Sequence, residues 1–133
     1  MFIYHQSTGR LVHMEQIVGI ADSTGAGPDI HTKIATGYSG HGEGRNNPTM
    51  EAVRSVGPIP RGEYEISPPF DTQAHGPLVM HLSPVGHDAL GRSGFLVHGD
   101  NVRHDASHGC IILPHAIRRM LSTCGETRLK VEI

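Results

Sequence analysis

The run FLVHGDNVRHDASHGCIIL, residues 95–113, sets a His-Gly pair and a Ser-His-Gly-Cys element at the two ends of one polar loop. Imidazole and thiol are the groups from which a nucleophilic cysteine is built. A free thiol titrates near about 8.5, so attack at neutral pH needs a base to take its proton or donors that favour the thiolate. His98 and His108 offer the imidazole, Cys110 the thiol, and Gly109 the room for backbone N–H groups to approach. His98 closes an apolar run and has rigid support, whereas His104 sits mid-loop with nothing to fix its ring and is the weaker base. A cysteine before Ile-Ile-Leu is by default a small buried core residue. The Ser-His-Gly prefix and the upstream His-Gly pair are what mark this one as reactive.

These groups need strands to hold them. Residues 95–97 and 111–113 are short aromatic and β-branched runs, and the Gly-, Asp-, Asn- and Ser-rich segment between them reads as a loop. Elsewhere 17 Gly and 9 Pro break the chain into short segments, which predicts a mainly β protein. Candidate strands are 1–5, 11–14, 17–21, 33–37, 62–67, 78–82, 94–98, 110–113 and 128–133, the first two joined by a hairpin turn at Ser7, Thr8 and Gly9. Over 114–124 the period changes. Ile117, Met120, Leu121 and Cys124 recur at helical spacing, Pro114 suits the first turn and Gly125 the stop. The expected architecture is a small β-sandwich or barrel with one short C-terminal helix packed behind the strand that carries Cys110. At 133 residues the chain is expected to be one domain, 1–133.

Composition excludes several function classes. A formal charge of −2 gives no basic field, which argues against a nucleic-acid partner. No stretch approaches the roughly 20 apolar residues of a membrane span. The opening MFIYHQSTGR lacks a basic leader and a long apolar core, so the chain is expected to be made in the cytoplasm without a signal peptide. Cys110 and Cys124 are better read as free thiols than as a disulfide. Eleven histidines raise a rival hypothesis, a zinc site built from His98, His104, His108 and Cys110. It lacks an HExxH helix, a CxxC pair, and any acidic partner beyond Asp100 or Asp105, so no metal or organic cofactor is expected. His5, His13, His31, His75, His87 and His115 read as surface or packing residues, and His81, alternating with Met80 and Leu82, points away from the core.

Two irregular stretches stand out. Residues 38–48, YSGHGEGRNNP, carry Tyr38, His41, Glu43, Arg45 and two asparagines, a large hydrogen-bonding capacity for a surface segment. A solvated turn and a substrate-binding loop account for that composition equally well; in the second reading Arg45 meets a carboxylate. Residues 57–62, GPIPRG, read as scaffold stiffened by proline. The order of groups also matters. Papain-like and NlpC-type hydrolases place Cys before His, on a helix N-terminus, whereas here His comes first and Cys opens a strand.

The elements HGD at 98–100 and SHGCI at 107–111 resemble the signature of the L,D-transpeptidase (YkuD-type) catalytic domain. YHQSTGRL, GYSGHGEGRNNP, VGPIPRGEY, GRSGFLVHGD and GCIILP extend a closer resemblance over nearly the whole chain, to the small L,D-transpeptidase-like effectors of type VI secretion systems. The resemblance implies Cys110 as nucleophile, His98 as general base and the Gly99 carbonyl as the group that orients the imidazole. Ser107, His108 and Gly109 become the wall and oxyanion site, with Asp100, Tyr38, His41 and Arg45 as further substrate contacts. The implied substrate is the tetrapeptide stem of peptidoglycan, trimmed or exchanged at its terminal D-amino acid in the periplasm of a target cell. A cognate immunity protein and a secretion-system carrier are the implied partners. The sequence departs from the larger family after the cysteine, where many members have an arginine and this chain has Ile111, Ile112 and Leu113. That charged contact is missing or comes from elsewhere. The competing readings are a non-catalytic peptidoglycan-binding module and a His/Cys zinc-dependent hydrolase.

Overall fold

The computed structural model describes residues 1–16 and 29–133. The strand expected at 17–21 lies outside the described residues. Ten strands form: β1 (Phe2–His5), β2 (Arg10–Gln16), β3 (Asp29–Thr36), β4 (Tyr38–Ser39), β5 (Gly62–Ile66), β6 (Phe70–Thr72), β7 (Gly76–Val85), β8 (Leu96–His98), β9 (Ile111–Ile112) and β10 (Arg128–Glu132). One helix, α1 (His115–Thr123), precedes β10. No helix among the described residues is long and apolar enough to cross a membrane.

The expected hairpin joins β1 to β2. Gly9 takes a φ of +72°, which favours glycine, and its N–H donates to the His5 carbonyl at 2.9 Å. The alternation in β5 and β10 shows why both are central: Tyr64, Ile66, Leu129 and Val131 enter the core, while Glu63, Glu65 and Arg128 meet as ion pairs on the outer face. β10 runs parallel to β1 and antiparallel to β5, so the two ends of the chain share one sheet.

The strands follow one path, β3-β2-β1-β10-β5-β7-β8-β9-β4, with β6 paired to β7 off that path. The path is open at β3 and β4, so of the two expected architectures the closed barrel does not form. The long strand β7 is the hinge of this arrangement: residues 82–85 pair with β5 and residues 80–81 with β8. The sheet folds over at β7 around a core that draws Phe2, Tyr4, Leu11 and Tyr64 from one half and Phe95, Val97, Ile111 and Leu113 from the other. α1 packs against β7 with Leu121 buried and Ile117 and Met120 half-buried. Pro114 caps it one residue earlier than the first turn, and Cys124 ends it.

β4 and β6 are absent from the sequence reading, because two- and three-residue strands are too short to display alternation. The segment 38–48 is accordingly less irregular than its composition suggests. It opens with β4, paired antiparallel to β9, and continues into single 3-10 turns at Gly42–Gly44 and Pro48–Met50. His81 is exposed and stacks on Phe70 at 4.6 Å, as its alternation predicts.

Candidate active site

β8 and β9 lie side by side and parallel, with Val97 opposite Ile111 and His98 opposite Ile112. Phe95, Val97, Ile111 and Leu113 face the core. Alternation therefore turns Leu96, His98 and Ile112 to the other face, and Cys110, immediately before Ile111, follows the same phase. His98 is only 2% exposed. A carbonyl oxygen only accepts, so the 2.8 Å contact between His98 Nδ1 and the Gly99 oxygen fixes the proton on Nδ1 and leaves Nε2 as the acceptor. The His75 ring lies against His98 at 4.3 Å. Burial holds the imidazole below its ordinary pKa, opposed by the Gly99 carbonyl.

Cys110 is half-buried, and its Sγ–H points to the Gly94 oxygen at 3.9 Å. Burial pushes its thiol up, while the Leu96 N–H and the Arg92 guanidinium pull it down. The thiol opens into a cleft of about 290 Å³, lined by Arg54, Arg92, Phe95, His108 and Gly109 among others. His98 lines a second cleft of about 330 Å³ with His75, Gly99, Asp100 and Asn101. No hydrogen bond joins His98 to Cys110.

The loop between the strands is held from beneath by two buried hydroxyls. Ser107, 0% exposed, donates to the Cys110 carbonyl at 2.5 Å and accepts from Gly40 N at 2.9 Å and Gly109 N at 3.1 Å. Ser39 of β4 donates to the Gly109 carbonyl at 2.9 Å and accepts from Ile59 N at 2.9 Å. Gly109 N–H is thus committed within the loop. Among the described residues no hydrogen bond engages the N–H of His108 or Cys110. Gly109 has a φ of +134°, and a Cβ there would lie 2.6 Å from Arg92 Nη2. Only glycine fits. His108 is exposed and meets His41 edge-on at 5.2 Å.

Tyr38, Asp100 and Arg45 come together in one network. Tyr38 Oη donates to Asp100 at 2.5 Å and accepts from Ala106 N at 2.9 Å. Asp100 also meets His104 Nδ1 at 2.7 Å. The Arg45 guanidinium lies 3.8 Å over the Tyr38 ring and donates to the His104 carbonyl at 2.7 Å. This network clamps the outer part of the 99–110 loop. It also shifts its own groups: burial and Asp100 push Tyr38 up to about 12, while Asp100 stays below the usual carboxylate range because, although burial opposes it, Tyr38 and His104 donate to it.

Two arginines were missed by sequence reasoning. Arg92, 7% exposed, donates to the carbonyls of Glu51 (2.6 Å), Pro58 (2.8 Å), Gly57 (3.1 Å) and His108 (3.3 Å). It stitches segment 51–58 to the cysteine loop. Arg118, 6% exposed, reaches from α1 to the carbonyls of Leu113, Pro77 and Leu78. It sits so close to Gly99 that a Cβ there would lie 2.8 Å from its Nη2. Of these two buried cations, Arg92 is the one whose charge acts on the Cys110 thiol. The signal for Arg118 was present, since it lies three residues before Leu121 and so within the apolar stripe of α1. Arg92, in a Gly-rich loop, had none.

Cys110 and Cys124 are both free. Among the described residues no group of three or more His, Cys, Asp or Glu is placed to hold a metal ion. Fold and site together define a small, mainly β protein in which a partly exposed thiol and a buried imidazole stand at the ends of two parallel neighbouring strands. The chain belongs to the Tlde1 domain family, whose model matches residues 33–132. That family is associated with type VI secretion effectors of L,D-transpeptidase type. No curated protein matches the chain.

Proposed function

We propose that the protein is a cysteine acyl-transfer enzyme acting on the tetrapeptide stems of peptidoglycan. The observation that carries this reading is the fixed tautomer of His98: with Nδ1–H held by Gly99, Nε2 is a neutral acceptor on a rigid strand end, beside the strand that begins after Cys110. Substrate binding turns the Cys110 side chain from the Gly94 carbonyl towards His98, which takes the thiol proton; contacts of this kind commonly tighten only with substrate present. The sulfur attacks the carbonyl that links the stem's third residue to its terminal D-residue. The C–S bond forms, the N–H groups of His108 and Cys110 receive the oxyanion, and the C–N bond breaks as His98 returns the proton to the departing amine. Water as second acceptor gives L,D-carboxypeptidase activity, a free D-amino acid gives exchange, and a second stem gives a cross-link.

On this reading the protein acts in the periplasm of a target cell after type VI delivery, and the producer holds an immunity protein. Family membership supports delivery and a peptidoglycan target. Mass spectrometry of tetrapeptide-bearing fragments, incubated with wild-type protein and a free D-amino acid, tests the reaction and identifies the acceptor. Loss or replacement of the terminal residue is expected with wild type and not with His98→Ala. Unchanged fragments with active-thiol wild type would favour a peptidoglycan-binding module instead.

A further inference from the structure

The cleft around Cys110 is cationic. Its lining holds two guanidinium groups, Arg54 and Arg92, and no carboxylate. They are not equivalent. Arg92 is buried and spends its donors on four carbonyls. Arg54 is exposed, donates once, from Nη2 to the Gly91 carbonyl at 3.0 Å, and has no acidic partner among the described residues. A guanidinium carries five N–H donors, so most of the Arg54 fork is unspent.

Its position is also fixed. Ser55 next to it adopts a φ of +63°, and Gly57 N–H donates to the Val53 carbonyl at 2.9 Å. Arg92 then holds the carbonyls on both sides of this turn, at Glu51 and at Gly57 and Pro58. The segment presenting Arg54 is therefore tied to the loop presenting Cys110 through one buried side chain. Arg45, which the sequence offers for a carboxylate, is outside this lining and rests on Tyr38.

We propose that Arg54 is the carboxylate-binding residue of the Cys110 cleft and recognises the free α-carboxylate of the terminal D-residue. The proposal rests on Cys110 being the acyl-accepting nucleophile. In a tetrapeptide stem that carboxylate lies one residue beyond the scissile carbonyl, at most about 3.6 Å of extended chain, so a cation sharing the thiol's own cleft is in range. An incoming free D-amino acid carries the same group next to its amine. One subsite thus serves both the leaving residue and the acceptor of exchange, and it makes the enzyme an end-trimmer that ignores internal bonds.

The test compares a tetrapeptide stem ending in free D-alanine with the same stem ending in D-alanine carboxamide, reading release of the terminal residue by mass spectrometry. Wild type is expected to prefer the free acid by roughly 10-fold to 100-fold in kcat/KM, the range of a charge-assisted hydrogen-bond pair. In Arg54→Ala that preference collapses towards one, and Arg54→Lys recovers part of it. A wild type that cleaves both stems equally, or an Arg54→Ala protein that keeps the full preference, overturns the assignment to Arg54 while leaving Cys110 chemistry standing. A wild type that cleaves neither overturns the Cys110 reading, and this inference with it.

Discussion

Burial moves the two side chains of the proposed reaction in opposite directions: the Cys110 thiol is pushed above its ordinary range and the His98 imidazole is held below its own. On the proposed function these directions favour a neutral thiol beside a neutral base over a preformed thiolate–imidazolium pair. The sign of the pH dependence follows. In the proposed reaction His98 must be unprotonated to accept the thiol proton; its pKa is lowered, so activity is expected to be full at neutral pH and to fall only as pH drops below about 6.5, the unperturbed imidazole value. A wild-type pH profile of kcat/KM whose acid limb lies below about 6.5 would agree, whereas an acid limb above pH 7 would not. Alkylation of Cys110 by iodoacetamide, read in a Cys124→Ser background, should be slow at neutral pH and climb above pH 9. In the sequence alone the proximity of two imidazoles to the thiol is visible, and the desolvation that raises its pKa is not.

At the scale of elements, the cleft depends on Arg92 and on two serines that are far apart in sequence. Arg92→Met removes the donors from the carbonyls of Glu51, Gly57, Pro58 and His108, and a carbonyl left unpaired where it is buried, as at Gly57 and Pro58, costs about 1–3 kcal/mol. We expect Arg92→Met to lower stability in urea unfolding by at least about 2 kcal/mol, and Arg92→Lys to recover little of it, since an ammonium cannot span four carbonyls with a planar fork. Gly109→Ala forces a side chain into a φ of +134° and onto Arg92, so activity should fall sharply and the unfolding midpoint with it. A Gly109→Ala protein with wild-type activity would remove the tight Gly109–Arg92 approach from the account. The strands β8 and β9 were legible as short aromatic and β-branched runs, β5 and β10 as segments between Gly and Pro breaks, and helix α1 from the change of period at Pro114. β4, whose Ser39 supports the Gly109 carbonyl, was not, because a two-residue strand inside a Gly-rich run shows no period at all.

For the molecule as a whole, β10 closes the account between sequence ends and site. It sits between β1 and β5 with Leu129 and Val131 fully inside, so Leu129→Ala should cost about 2–5 kcal/mol and lower the unfolding midpoint without altering which bond is cut. The mainly β character and the C-terminal helix could be read from Gly and Pro punctuation. The open path that folds over at β7 could not, since it is set by long-range register between strands whose sequences are equally apolar. The central claim is that Cys110 becomes covalently acylated, and acid-quenched intact-protein mass spectrometry during turnover of a tetrapeptide stem tests it most directly. The account predicts an adduct of the tripeptide stem on Cys110 and no terminal-residue release by Cys110→Ala. Release by Cys110→Ala at the wild-type rate, without any adduct on the wild type, would contradict it.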